Sequence, residues 1–105
     1  MLKVNISVAA SQTDSELVAA KSGKFIRVHG FLLANTTNTQ FTLNSKGSGA
    51  GVAISPIMVV PTTNIVVLPP VSAGYFDTAS GESLTCTTGI GQTVRGVVFY
   101  QYINA

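Results

Sequence analysis

Charge is the scarcest thing in this sequence of 105 residues. Asp, Glu, Lys and Arg together supply 10% of it, against a usual share of about a quarter. A folded chain of 10.9 kDa exposes roughly 5,600 Å² by surface scaling. Six basic and four acidic residues leave wide uncharged stretches on such a surface. That suits a chain that works inside a larger assembly. The basic residues Lys3, Lys21, Lys24, Arg27, Lys46 and Arg95 are scattered and not interleaved with aromatics, so the nucleic-acid pattern is missing. A single cysteine, Cys86, excludes an intrachain disulfide and a cysteine-built zinc site within one chain. There is no tryptophan and one histidine, His29. No apolar run approaches the ~18 residues that span a bilayer, and MLKVNISVAA does not read as a signal peptide. No cofactor, membrane or nucleic-acid partner is expected. A sustained helical period is also missing.

Many short strands and tight turns remain. Thr, Val, Ile, Phe and Tyr dominate, with Gly and Pro at short intervals, which is strand-and-turn chemistry. Expected strands are Leu2 to Ala9, Glu16 to Ala20, Lys24 to Asn35, Thr39 to Asn44 and Val52 to Val60 with a break or an edge position at Pro56. Asn64 to Leu68, Ser83 to Thr88 and Thr93 to Ile103 follow, with a short extended piece at Tyr75 to Thr78. Polar loops or turns are expected at Ser11 to Ser15, Thr36 to Asn38 and Pro61 to Thr63. About eight strands without crossover helices predict one all-β domain, an antiparallel β-sandwich of jelly-roll type. An immunoglobulin-like sandwich is the second choice, and it lacks its core Trp and Cys pair.

Lys24 to Asn35 is expected to be central. At period two, Ile26, Val28, Gly30, Leu32 and Ala34 share one face. Arg27, His29, Phe31 and Leu33 fall on or near the other, which begins charged and ends apolar. Such a strand is covered on both sides, by its own core and by another chain. The last strand is apolar on both faces near its middle and should lie beside it. In Thr39 to Asn44, Phe41 and Leu43 point inward, and Gln40, Thr42 and Asn44 outward.

The candidate chemistry is thin. Cys86 reads as a small buried apolar residue. Asp77 and Glu82 flank a turn and are expected to serve its amides; Asp14 and Glu16 are read in the same way. His29 has no second ligand beside it, and with Arg27 it suits a bridge to a neighbouring chain or a carboxylate. Ser45 to Gly51, SKGSGAG, is costly to order without help. It reads as a mobile hairpin tip or a contact loop, and not as a phosphate cradle. An enzyme is not expected.

Gly23, Lys24, Ile26, Arg27 and Val28, then Gly74, Tyr75, Phe76 and Thr78, then Gly81, Glu82 and Leu84 carry a resemblance. The chain resembles small tailed-bacteriophage virion proteins of the capsid decoration (cement) or head-fibre type. The resemblance implies a chain made in the host cytoplasm that ends on the capsid surface of the virion. Its partners would be the major capsid protein and copies of itself, as a homotrimer. Candidate oligomer or capsid contacts are Arg27, His29, Phe31, Lys46 and Phe99. The alternative is a fibre or tail-tip domain that binds a host glycan through tyrosines and the SKGSGAG loop.

Overall fold

Alternating β-branched and aromatic residues build strands because each strand can bury one face. A computed structural model of the chain describes residues 1–34, 39–60, 65–91 and 93–105. Among these, the strands are β1 (Leu2–Val8), β2 (Ser15–Val18), β3 (Lys24–Ala34), β4 (Thr39–Lys46), β5 (Val52–Ala53), β6 (Met58–Val60), β7 (Ile65–Leu68), β8 (Phe76–Asp77), β9 (Ser83–Thr88) and β10 (Val94–Asn104). The expected loop at Thr36 to Asn38 and turn at Pro61 to Thr63 lie outside the described residues.

The strands form two antiparallel sheets packed face to face as a β-sandwich. One runs β1-β10-β3-β7, with β8 also on β3, and the other runs β2-β9-β4-β5, with β6 also on β4. β3 and β10 are neighbours along almost their whole lengths. Between the sheets lies a core of Ile26, Val28, Phe31 and Leu33 from β3, Phe41 and Leu43 from β4, Leu84 and Cys86 from β9, and Val94 and Val98 from β10. The break at Pro56 divides one expected strand into β5 and β6. Where the ladder lapses, Ser55 Oγ accepts the Leu43 N–H at 2.9 Å. Thr78 Oγ1 likewise accepts the Ile26 N–H, at 2.9 Å. Hydroxyls here stand in for backbone partners that irregular strands cannot supply.

The faces of β3 differ from the period-two expectation. Phe99 of β10 pairs with Gly30, but the next residue, Tyr100, pairs with Val28. His29 is the extra residue of a β-bulge, which reverses the inward phase of the strand. Before the bulge Ile26 and Val28 are buried; after it Phe31 and Leu33 are buried and Leu32 is exposed. An uninterrupted alternation would have sent Phe31 and Leu33 outward. β10 carries no extra residue, and its inward set of Val94, Val98, Tyr100 and Tyr102 keeps the expected phase.

Candidate assembly surface

The bulge explains where the candidate contact residues lie. His29 is 2% exposed. Its Nδ1 donates to the carbonyl oxygen of Val71 at 2.7 Å, and Nε2 lies 3.0 Å from Gln101 Oε1. The Val71 N–H returns a bond to the His29 carbonyl at 3.1 Å. The bulged histidine thus clasps the segment 69–71 down over β3. Gly30 makes room for it, because a Cβ there would meet Pro70 Cα at 2.9 Å and the Leu68 carbonyl oxygen closer still. The second cover expected for β3 is therefore, at this point, the chain's own Pro69–Val71 segment.

Of the five expected contacts, His29 and Phe31 are inside the fold, a correction that follows from the bulge. Arg27 is held by Asp77 through Nε–Oδ1 at 2.9 Å and Nη2–Oδ2 at 3.1 Å. That pairing raises the arginine pKa, first through the hydrogen bond and then through the charge. Lys46 Nζ turns back onto the Gly49 carbonyl at 2.7 Å. Phe99 is half-buried opposite Gly30. Arg27, His29 and Phe99 share one sheet, whereas Lys46 sits on the other.

Asp77 and Glu82 serve side chains and not turn amides, whereas Asp14 serves both a loop amide and side chains. Asp77 pairs with Arg27, and Glu82 Oε1 accepts from Ser45 Oγ at 2.7 Å. Asp14 is the centre of a polar knot on the outer side of β4 and β9. Its Oδ1 accepts from Asn44 Nδ2 at 3.1 Å and Thr85 Oγ1 at 3.2 Å, and its Oδ2 accepts the Gly51 N–H at 2.9 Å. Asn44 faces outward as expected, yet the knot buries it. The glycine-rich loop after β4 thus receives its ordering contact from within the chain. Tyr75 and Tyr102 spend their hydroxyls on the Pro69 and Ala19 carbonyls, at 2.7 and 2.8 Å. Cys86 is wholly buried, and burial first, then Asp14, pushes its thiol pKa up to about 12. Among the described residues no three His, Cys, Asp or Glu side chains converge in a metal-binding group. No helix there is long and apolar enough to cross a membrane.

The surface that stands out was not among the expected sites. From Gly47 to Phe76 the sequence has no charged residue, although it covers 30 of 105 positions. The described part of this run supplies β5 and β6, which edge one sheet along β4, and β7, which edges the other along β3. It therefore forms most of one side of the sandwich, whose remaining end is β8 with Asp77 paired to Arg27. Among the described residues, eleven large hydrophobic side chains are exposed, and seven belong to this run. Val52, Ile57 and Val59 come from the β5–β6 stretch, Ile65 and Val67 from β7, and Val71 and Tyr75 from the segment that follows. Leu32 continues the patch from β3, where it pairs with Val67. A hollow of about 370 Å³ lined by Thr39, Gln40, Val59 and Ile90 lies at its β6 end. The signal for this surface was present in the charge spacing along the chain, which strand-by-strand periodicity does not register.

No protein-family model matches this chain, and neither a curated protein nor a solved structure matches it.

Proposed function

We propose that this chain is a structural virion protein, a capsid decoration or cement protein that binds the outer surface of a phage head and stabilises it as a homo-oligomer, a trimer. The observation that carries the reading is the apolar side of the sandwich. A lone soluble domain keeps such patches small or breaks them with charge. This chain leaves most of one side greasy, and the charges at the β8 end of that side, Arg27 and Asp77, neutralise each other. The ionisable groups Asp14, Arg27, His29, Asp77 and Glu82 are each engaged by a partner in the same chain, which supports a scaffold over a catalyst. The strand order β1-β10-β3-β7 facing β2-β9-β4-β5 supports a jelly-roll wrapping, with β1 to β4 passing alternately from sheet to sheet. Modest contacts suffice for cement, because many identical copies must release together before a shell opens.

The test is reconstitution. Heads assembled without this protein are mixed with the purified chain, pelleted, and heated while release of packaged DNA is followed. Saturable binding and a rise in the release temperature are expected. Absence of binding, or binding that leaves the release temperature where it was, rejects the decoration role. In the latter case a glycan array would then be the measurement that separates a fibre domain from other surface roles.

A further inference from the structure

We infer that the apolar side of the sandwich built by β5, β6 and β7 is the surface through which copies of this chain pack against one another, by side-chain contact and without extension of either sheet. The inference deepens the decoration reading, on which it rests for the setting in which copies meet. Three observations point to a second copy as the occupant.

The first is charge. Where identical surfaces meet around a symmetry axis, a charge near that axis faces its own sign. A chain with a net charge of +2 has to keep its basic residues off such a surface. The run from Gly47 to Phe76 does so, and the one basic residue at the β8 end of that side, Arg27, is paired with Asp77, whereas β1, β2 and the turn after β2 carry Lys3, Glu16 and Lys21. A foreign partner imposes no such restriction, since opposite charges across a mixed interface aid encounter and register.

The second is size. The molecule measures 39 × 29 × 20 Å. The long direction follows the eleven-residue strands β3 and β10, and the short one is the thickness of two stacked sheets. The side of the sandwich, its β8 end included, is then a face of at most 39 by 20 Å, about 800 Å², which is of the order of the area each partner contributes to a standard stable interface.

The third is proline. All four prolines, at positions 56, 61, 69 and 70, fall within the uncharged run. Pro56 separates β5 from β6, and Pro69 and Pro70 close β7. Each removes a backbone donor, so the edge cannot accept a continuous added strand. β1, an edge strand seven residues long, has no proline at all. A sticky edge that refuses a ladder holds its neighbour through Ile57, Val59, Ile65 and Val67, and it does not run on into an open-ended sheet.

Sedimentation equilibrium of the purified full chain over a range of concentrations tests this. A mass that is a small multiple of 10.9 kDa is expected. Val59→Lys and Val67→Lys should each weaken association at least tenfold, with the far-UV spectrum and a cooperative melting transition retained, since both side chains are about half exposed, at 54% and 49%. Lys3→Glu on the far edge should leave the mass unchanged. If either lysine variant loses its fold, Val67→Thr takes its place and should weaken association measurably. A wild-type chain that stays monomeric, or edge variants that associate as wild type does, overturns the inference. A monomeric chain whose binding to heads is abolished by Val67→Lys would assign this side to the shell, refuting the inference and leaving the decoration role standing. An oligomer dissolved by Val67→Lys that never binds heads would do the reverse.

Discussion

At the residue scale, the ionisable side chains are largely structural, and Cys86 shows this most plainly. Its thiol is wholly buried in the core and its pKa is pushed up to about 12. In an unfolded chain a thiol ionises near pH 8.5. Below that pH it is protonated in both states and has no effect on the pH dependence of stability. From about pH 9 to about 12 the unfolded chain loses a proton that the folded chain keeps. Stability therefore falls as pH rises through that window, with a slope of at most about 1.4 kcal/mol per pH unit from this group. Tyr102, whose pKa is also raised, chiefly by burial, adds in the same direction at the upper end. Urea midpoints at pH 8 and pH 10.5 should show the loss, and Cys86→Ala should remove the thiol's part of it. The same burial should make Cys86 inert to a thiol-specific reagent at pH 8 until urea opens the fold.

At the element scale, the one-residue bulge in β3 decides which side chains reach the core. Ile26 and Val28 lie on one side of His29, and Phe31 and Leu33 on the other, and all four are buried only because the bulge adds a residue between the pairs. Deleting His29 restores plain alternation, so one of the two pairs must turn outward. The folded state should then be lost, with cooperative melting replaced by a gradual change. Deleting Ser48 from the loop between β4 and β5, where the chain is exposed, should leave a cooperative transition within about 1 kcal/mol of wild type, since loop length costs little entropy. Equal tolerance of the two deletions in a urea titration would show that the phase of β3 is not set at His29.

At the scale of the whole molecule, the apolar side carries no unpaired charge, its β8 end holding only Arg27 and Asp77 bound to each other. A contact made by such a side has little long-range Coulomb component to screen. Association of copies should therefore change little between 50 and 500 mM sodium chloride, at ionic strengths where charge-steered contacts lose most of their strength. Sodium sulfate should strengthen it, because excluded salts favour burial of apolar surface. Sedimentation across that salt series is the check, and a steep loss of association with sodium chloride would place the contact on the charged side.

The sequence by itself determined the class of fold, the sandwich of antiparallel strands, the break at Pro56 and the pairing of the third and last strands. These follow from local alternation, from turn residues, and from the chemistry of a proline without a donor. It also carried, in the uncharged run from Gly47 to Phe76, the mark of the apolar side, although that mark acquires meaning only when the run is seen to edge both sheets. Tertiary structure alone decided the faces of β3. A bulge is a mismatch between two strands distant in the chain, and neither strand's own pattern records it. The same holds for His29, Arg27 and Asp14. Their partners Val71, Asp77 and Thr85 lie far along the chain and meet them only when the sheets register, so exposure and pairing belong to the fold and not to any local stretch.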